Sequence, residues 1–166
     1  MAHNMFLKLT DPTVRGEATD SSHREEIQVL SWNHAFTQPT PPTRSGSGAG
    51  TVQQANHSDF AFTKYIDAST DDLLKLCWSG RRVGKGVFCC YRRVDDQKSV
   101  KYLEIIMENI IVSNLSIGGG TGDIPTETVT LSYGSVEYKY FGPQPDGQTG
   151  QDVQRVKHDL GKESVW

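Results

Sequence analysis

A chain of 166 residues is long enough for one domain with its own core, and its 17 Lys and Arg against 20 Asp and Glu leave a formal charge of -3. That balance creates no field toward phosphate backbones, which argues against nucleic acid as a partner. No run approaches the roughly 18 apolar residues of a membrane span, and MAHNMFLKLTDP lacks the positive n-region of a secretory leader, so a cytoplasmic product without membrane insertion is expected. Cys77, Cys89 and Cys90 are odd in number, and neighbouring cysteines on a strand point to opposite faces, so reduced thiols are expected.

Met5 to Leu9 alternates as a first strand. In EEIQVLSWNHAF the apolar phase slips: Ile27 and Val29 lie on odd positions, then Leu30, Trp32, His34 and Phe36 on even ones. A change of phase moves every later side chain to the other face of a sheet, so the strand is expected to bend. TQPTPPTRSGSGAGT, residues 37 to 51, has one charge and little to bury, and reads as a long loop ordered by whatever it touches. Ser58 to Tyr65 predicts a strand with Phe60 and Phe62 on one face.

ASTDDLLKLCWSG predicts the one helix: Ser69 or Thr70 caps it, Asp71 and Asp72 favour its first turn, Leu73, Leu76 and Cys77 form its buried stripe, and Gly80 stops it. Leu74 and Trp78 make a second stripe, widening the apolar face or offering it to a neighbour. Val87 to Arg93 predicts another strand. YLEIIMENIIVSNLSI slips twice, from Leu103, Ile105 and Met107 to Ile110 and Val112, and then to Leu115 and Ile117. PTETVTLSYGSVEYKY slips from Val129, Leu131 and Tyr133 to Val136, Tyr138 and Tyr140, which predicts one long strand bent at Gly134 and Ser135. Repeated slips on long strands supply the curvature of a closed sheet, so the pattern points to a barrel. After Phe141 the chain is polar, with Val153, Val156 and Leu160 as weak periodic signals of a last strand or a disordered tail.

Motifs of catalysis are missing. GGGTGD, residues 118 to 123, precedes no helix and no Gly-Lys-Ser/Thr, and reads as a hairpin loop rather than a phosphate cradle. His3, His23, His34, His57 and His158 show no metal-ligand spacing. Without a nucleophile elbow any Ser-His-Asp choice would be arbitrary, so neither an enzyme nor a cofactor is expected. Arg81, Arg82 and Lys85, with Arg92 and Arg93, read as a solvated or ion-paired face.

Taken together in order, these strings resemble the haemolysin-coregulated protein (Hcp) family, the tube subunit of bacterial type VI secretion. The carriers are MFLKL, the Gly16-Glu17 step followed by HREEIQVLSW, the loop ending Gly48-Ala49-Gly50, DFAFTKYIDAST into the helix with Cys77 and Gly80, and YLEIIMENIIVSNLSIGGGTGD leading to PTETVTLSY, with Pro143-Gln144 and Gly147 beyond. The chain departs from the family where His34 follows Trp32 and where His158 precedes Asp159, positions at which the family carries aromatics.

The resemblance implies a mainly β fold, a β-barrel of two antiparallel sheets with one flanking α-helix, over residues 1–147, followed by a tail over 148–166. It implies rings of six copies that stack into a tube inside a contractile sheath, capped by a spike (VgrG-type) protein and carrying small effector proteins. It also implies export by that machine without a signal peptide. By the same resemblance Ser31, Asn33 and Ala35 face the lumen, and Ser45, Gly46, Ser47, Gly48, Ala49, Gly50 and Thr51 reach a neighbouring subunit or ring. The alternative is a monomeric β-barrel binding module, for instance for glycans, with Trp78, Tyr138 and Tyr140 as an aromatic platform.

Overall fold

The structure, a computed structural model, describes residues 4–40, 55–93, 95–96, 98–143, 149–162 and 164–166. Strand β1 (Asn4–Thr10) is followed by the short β2 (Ile27–Gln28), β3 (Ser31–Asn33), β4 (Phe36–Thr37) and β5 (Asn56–His57). Then come β6 (Phe60–Tyr65), the helix α1 (Thr70–Ser79), β7 (Val83–Arg93), β8 (Ser99–Gly118), β9 (Thr126–Ser132), β10 (Ser135–Pro143), β11 (Thr149–Asp159) and β12 (Ser164–Val165). All pairings are antiparallel.

The long β8 belongs to two sheets. Its first half lies between β7 and β10 in the order β12-β11-β10-β8-β7-β1-β2, and its second half continues into β9, β6 and β3. The slips read from the sequence coincide with its irregularities. Ile105 and Met107 are buried, Asn109 takes a left-handed φ of 56°, and burial resumes on the other parity at Ile110 and Val112. The second slip is a bulge between Val112 and Asn114, after which Leu115 packs against the core. Asn tolerates the left-handed region because its short polar side chain costs little there, so it can turn a strand without breaking it.

Three expectations need correction. Residues 125–140 are two strands: β9 pairs with β6 and the second half of β8, whereas β10 pairs with the first half of β8 and with β11. At the corner Gly134 donates its N–H to the Glu108 carbonyl, 2.9 Å away, and accepts from Leu160. The segment around Trp32 is likewise three short strands. It changes sheets at its phase slip, where the Val29 N–H bonds to Met5 of β1 and the Leu30 N–H to Thr63 of β6. Finally, the sheets do not form a closed barrel. They are two open ladders joined at corners by strands that pass from one to the other, because each slip turns the chain enough to leave one ladder for the next.

Between the sheets lies one core containing Leu7, Leu9, Ile27, Phe60, Phe62, Phe88, Ile105, Met107, Ile110, Val129 and Leu131. Each such residue, fully buried, contributes about 1.5–3 kcal/mol. Helix α1 buries Leu73 and Leu76 against it and ends on Gly80, whose φ of 68° lets its N–H close on the Leu76 carbonyl. Ser69 stands at the N-cap but directs its hydroxyl to Asp67 instead of the helix backbone.

The connection between β1 and β2 straps the far face of the first sheet. His23 of the strap stacks on Phe6 at 4.6 Å, and the strap's Ala18 is itself buried; Cys89 and Cys90 are both buried although they point to opposite faces. All three cysteines are free, and burial pushes the Cys89 thiol up to about 12 and the Cys90 thiol to about 11. Gly16 sets how close the strap lies: a Cβ there would stand 2.4 Å from the Glu26 carbonyl oxygen and 2.7 Å from the Ile27 Cα. Gly16→Val is therefore expected to lower stability by about 2 kcal/mol or more in urea unfolding, since the Glu26–Ile27 backbone must move away. A change within about 0.5 kcal/mol would show that the strap can lift freely.

Candidate assembly surfaces and the polar network beneath them

Of the residues the sequence assigns to surfaces, Ser31, Asn33 and Ala35 are exposed, while Trp32 and His34 between them turn inward. Trp32 stacks on Phe60 at 5.8 Å and lies 5.3 Å from Phe88. Pairing of Trp32 with Phe62 and of Asn33 with Ala61 fixes this parity on β3, so Ser31 and Asn33 share one outward face, and Ala35 is exposed just beyond the strand. Residues 45–51 lie outside the described residues. The strands that frame their loop pair as Phe36 with His57 and Thr37 with Asn56, forming a separate two-stranded ladder.

Beneath that ladder runs a chain of hydrogen bonds that spacing along the sequence could not disclose. The Tyr138 hydroxyl bonds to His34 Nδ1, and His34 Nε2 to the Tyr133 hydroxyl at 2.6 Å. The same hydroxyl meets His57 Nδ1 at 2.7 Å, and His57 Nε2 meets His158 Nδ1 at 2.7 Å. Three histidines thus converge from β11, β5 and the turn after β3. They form a relay and not a common centre: among the described residues no three His, Cys, Asp or Glu side chains are grouped to hold a metal. Burial pushes His34 down to about 4, with His57 adding to the effect, and burial followed by His158 lowers His57. Tyr133 and Tyr138 are held well above the usual phenol range by burial, so both hydroxyls keep their protons.

A second buried cluster ties α1 to the other sheet. Lys64 and Glu127, opposite one another on β6 and β9, form an ion pair, and Lys64 Nζ also reaches Asp67 Oδ1 at 2.9 Å. Thr70, the first helical residue, donates its hydroxyl to Glu127 Oε1 at 3.3 Å. Both Lys64 and Glu127 are essentially inaccessible to water, so loss of either partner would strand a buried charge.

Other sequence candidates disperse. Arg82 reaches Asn109 Oδ1 at 2.7 Å and Arg93 bonds to the Asp95 and Asp96 carbonyls, at opposite ends of β7, so the basic residues form no single patch. GGGTGD is the hairpin between β8 and β9, its Gly120 carbonyl accepting from Asp123. Nor do the three aromatics of the glycan-binding alternative make one platform. Trp78 borders a groove with Pro12, Val14 and Leu76, whereas Tyr138 and Tyr140 line another with Leu103 and Val156.

The fold places the chain in the class of two-sheet antiparallel β-proteins, with the described histidines, His23, His34, His57 and His158, engaged in internal hydrogen bonds. The comparisons define that class more narrowly. Residues 6–140 match the family model described as type VI secretion system effector, Hcp. The protein hcp1 of Pseudomonas aeruginosa is 39% identical over 148 residues, covering 89% of this chain and 88% of that one. The crystal structure of Hcp1 from Salmonella typhimurium superposes with a TM-score of 0.79 at 26% identity over 100% of both chains. A type VI secretion system effector from Yersinia pestis gives a TM-score of 0.71 at 28% identity, over 93% of this chain and 98% of that one. The chain belongs to the Hcp family of type VI secretion, and its function is that of a tube protein of this machine; no finding supports the glycan-binding alternative.

The Tyr133 hydroxyl bridges two imidazoles in a water-poor site, so Tyr133→Phe is expected to cost about 1–3 kcal/mol, more than a single hydrogen bond to solvent-exposed groups would. Chemical unfolding of the variant checks this, and an unchanged midpoint would mean that His34 and His57 find other partners.

Proposed function

We propose that this chain is a non-enzymatic subunit that closes into rings of six, the rings stacking into a tube that is expelled by the type VI machine. The observation that carries the reading is family membership over residues 6–140 together with an outward face of small residues on β3. A head-to-tail contact whose rotation closes yields a ring, and a second contact between ring faces yields an open-ended stack. Ser31, Asn33 and Ala35 then line the lumen and meet small effector proteins, which need a wet wall without large apolar anchors. Residues 45–51 make the contact to the neighbouring subunit or ring. A contractile sheath surrounds the tube and a spike protein of VgrG type caps it. Residues 1–147 form the assembling domain, and the tail over 148–166 serves as its last strand, β11 pairing with β10. The subunit is cytoplasmic before firing and is exported by the machine itself. Among the described residues no helix is long and apolar enough to cross a membrane.

Light scattering on a sizing column tests the ring directly: a mass near six times the 18.4 kDa of the chain, with annular particles by negative stain, is expected, and a monomer at high concentration overturns it. Asn33→Trp is expected to leave ring closure intact and to reduce cargo retention, because it places a bulky ring on the lumen wall. Retention equal to the unsubstituted protein removes β3 from that wall. Replacing Gly46, Gly48 and Gly50 with valine is expected to shorten stacks while rings persist, and equal loss of both contradicts the assignment of the loop.

A further inference from the structure

His34 and His57 bracket the segment that carries the loop assigned above to contacts between subunits or rings. Both are tied by the same relay to Tyr138 of β10 and His158 of β11. A phenol and a neutral imidazole each have one proton to donate and a site to accept. Five such groups in a row satisfy all four links when every proton points the same way, from Tyr138 toward His158 or the reverse.

One added proton is absorbed without loss. An imidazolium at His57 donates to Tyr133 and to His158; Tyr133 then donates to His34, and His34 to Tyr138. A second proton cannot be absorbed. If His57 and His158 both hold two protons, N–H faces N–H across their 2.7 Å link and the link breaks. If His34 shares the second charge instead, Tyr133 receives from both sides and its own hydrogen has no acceptor within the relay.

We propose that the relay is an acid-sensitive fastener, in which a second proton either parts His57 from His158 or strands the Tyr133 hydroxyl hydrogen, and so loosens the β4–β5 root of the loop from β11. The loop's part in assembly rests on the reading given above; the fastener rests on the relay alone. The groups facing it are few. His34 meets Phe36, Phe60, Tyr133 and Tyr138, and Asp59 is the carboxylate near it that favours its charged form. His57 meets Phe36, Tyr133 and His158, and Tyr138 has the Cys90 thiol in its surroundings. His158 stands opposite Val136 of β10 and Val165 of β12. With Asp59 the one carboxylate favouring His34's charge, burial dominates.

The direction follows by linkage. His34 is lowered from 6.5 to about 4 on folding, so the unfolded chain binds more protons between those values. His34's share of the relay's contribution is present above pH 6.5 and is lost as pH falls toward about 4, and His57, lowered by burial and then by His158, acts in the same direction.

Amide hydrogen exchange of the full chain at pH 7 and pH 5, corrected for the intrinsic pH dependence of exchange, reads the fastener. Protection of residues 55–58 and 154–159 is expected to drop by about tenfold or more at pH 5, while β6 and the second half of β8 stay protected. His57→Gln offers an acceptor and a donor to the same partners but takes up no proton, so its protection should change clearly less between the two pH values than that of the unsubstituted chain, the remainder being the share of His34. His158→Gln is the second variant, should the first fail to fold. Equal protection of the unsubstituted chain at both pH values, or the same loss in a folded glutamine variant, overturns the fastener. Stack length at the two pH values, read in parallel, bears on the loop: rings that never stack at pH 7 refute its assembly role while the exchange result decides the relay.

Discussion

A twenty-residue strand, β8, with partners in two different sheets is the constraint on which the rest of the structure depends. A strand of that length cannot lie flat in a sheet of ordinary size, and its neighbours cannot all follow it. The chain resolves this by turning β8 at Asn109 and bulging it at Ser113, while its neighbours stop. β10 begins at Ser135 opposite Glu108, and β9 ends at Ser132 opposite Ile111. The corner lets Ile105 and Met107 of one sheet and Ile110 and Val112 of the other address one core, although they sit on different parities of the same strand.

Once β8 has fixed the angle between the sheets, polar groups fasten the parts that have little apolar surface of their own. The Lys64–Glu127 pair spans β6 and β9 and meets the start of α1, so the first turn of the helix is registered against that sheet. At the other end of that sheet the relay from Tyr138 to His158 fixes a two-stranded ladder that makes only short backbone pairings. Its residues sit where the surfaces assigned to assembly begin, so the geometry of those surfaces depends on buried chemistry rather than on their own packing. Buried hydrogen bonds of this kind contribute modestly when complete and cost more when one partner is removed.

Much of this was legible in the sequence. Each phase slip marked a real change of face: Val29 to Leu30, Met107 to Ile110, Val112 to Leu115 and Tyr133 to Val136. Alternation also put Ser31, Asn33 and Ala35 opposite Trp32 and His34; the ladder with β6 carries Ser31 to Asn33, and beyond it His34 is half-buried and Ala35 exposed. Phase could not say whether a ladder continues through a slip, because that depends on which partner strand follows the bend. The stretch around Gly134 was therefore expected as one strand and is two, and the curvature expected to close a barrel instead joins two open sheets at corners. The histidine relay left no local signal: its His57–His158 link joins positions 101 apart and its His34–Tyr133 link positions 99 apart. The one hint was that the resemblance implies aromatics where this chain has His34 and His158, and the fold brings both into the same relay.

The measurement that tests the central role of β8 most directly is native-state hydrogen exchange of its amides as a function of low denaturant. If the strand holds both sheets as one unit, the protected amides of Ile105, Met107, Ile110 and Val112 should merge onto a single opening with the free energy and denaturant dependence of global unfolding. If the amides before Asn109 open at lower cost than those after it, or the reverse, the sheets are separate cooperative units and the corner does not couple them.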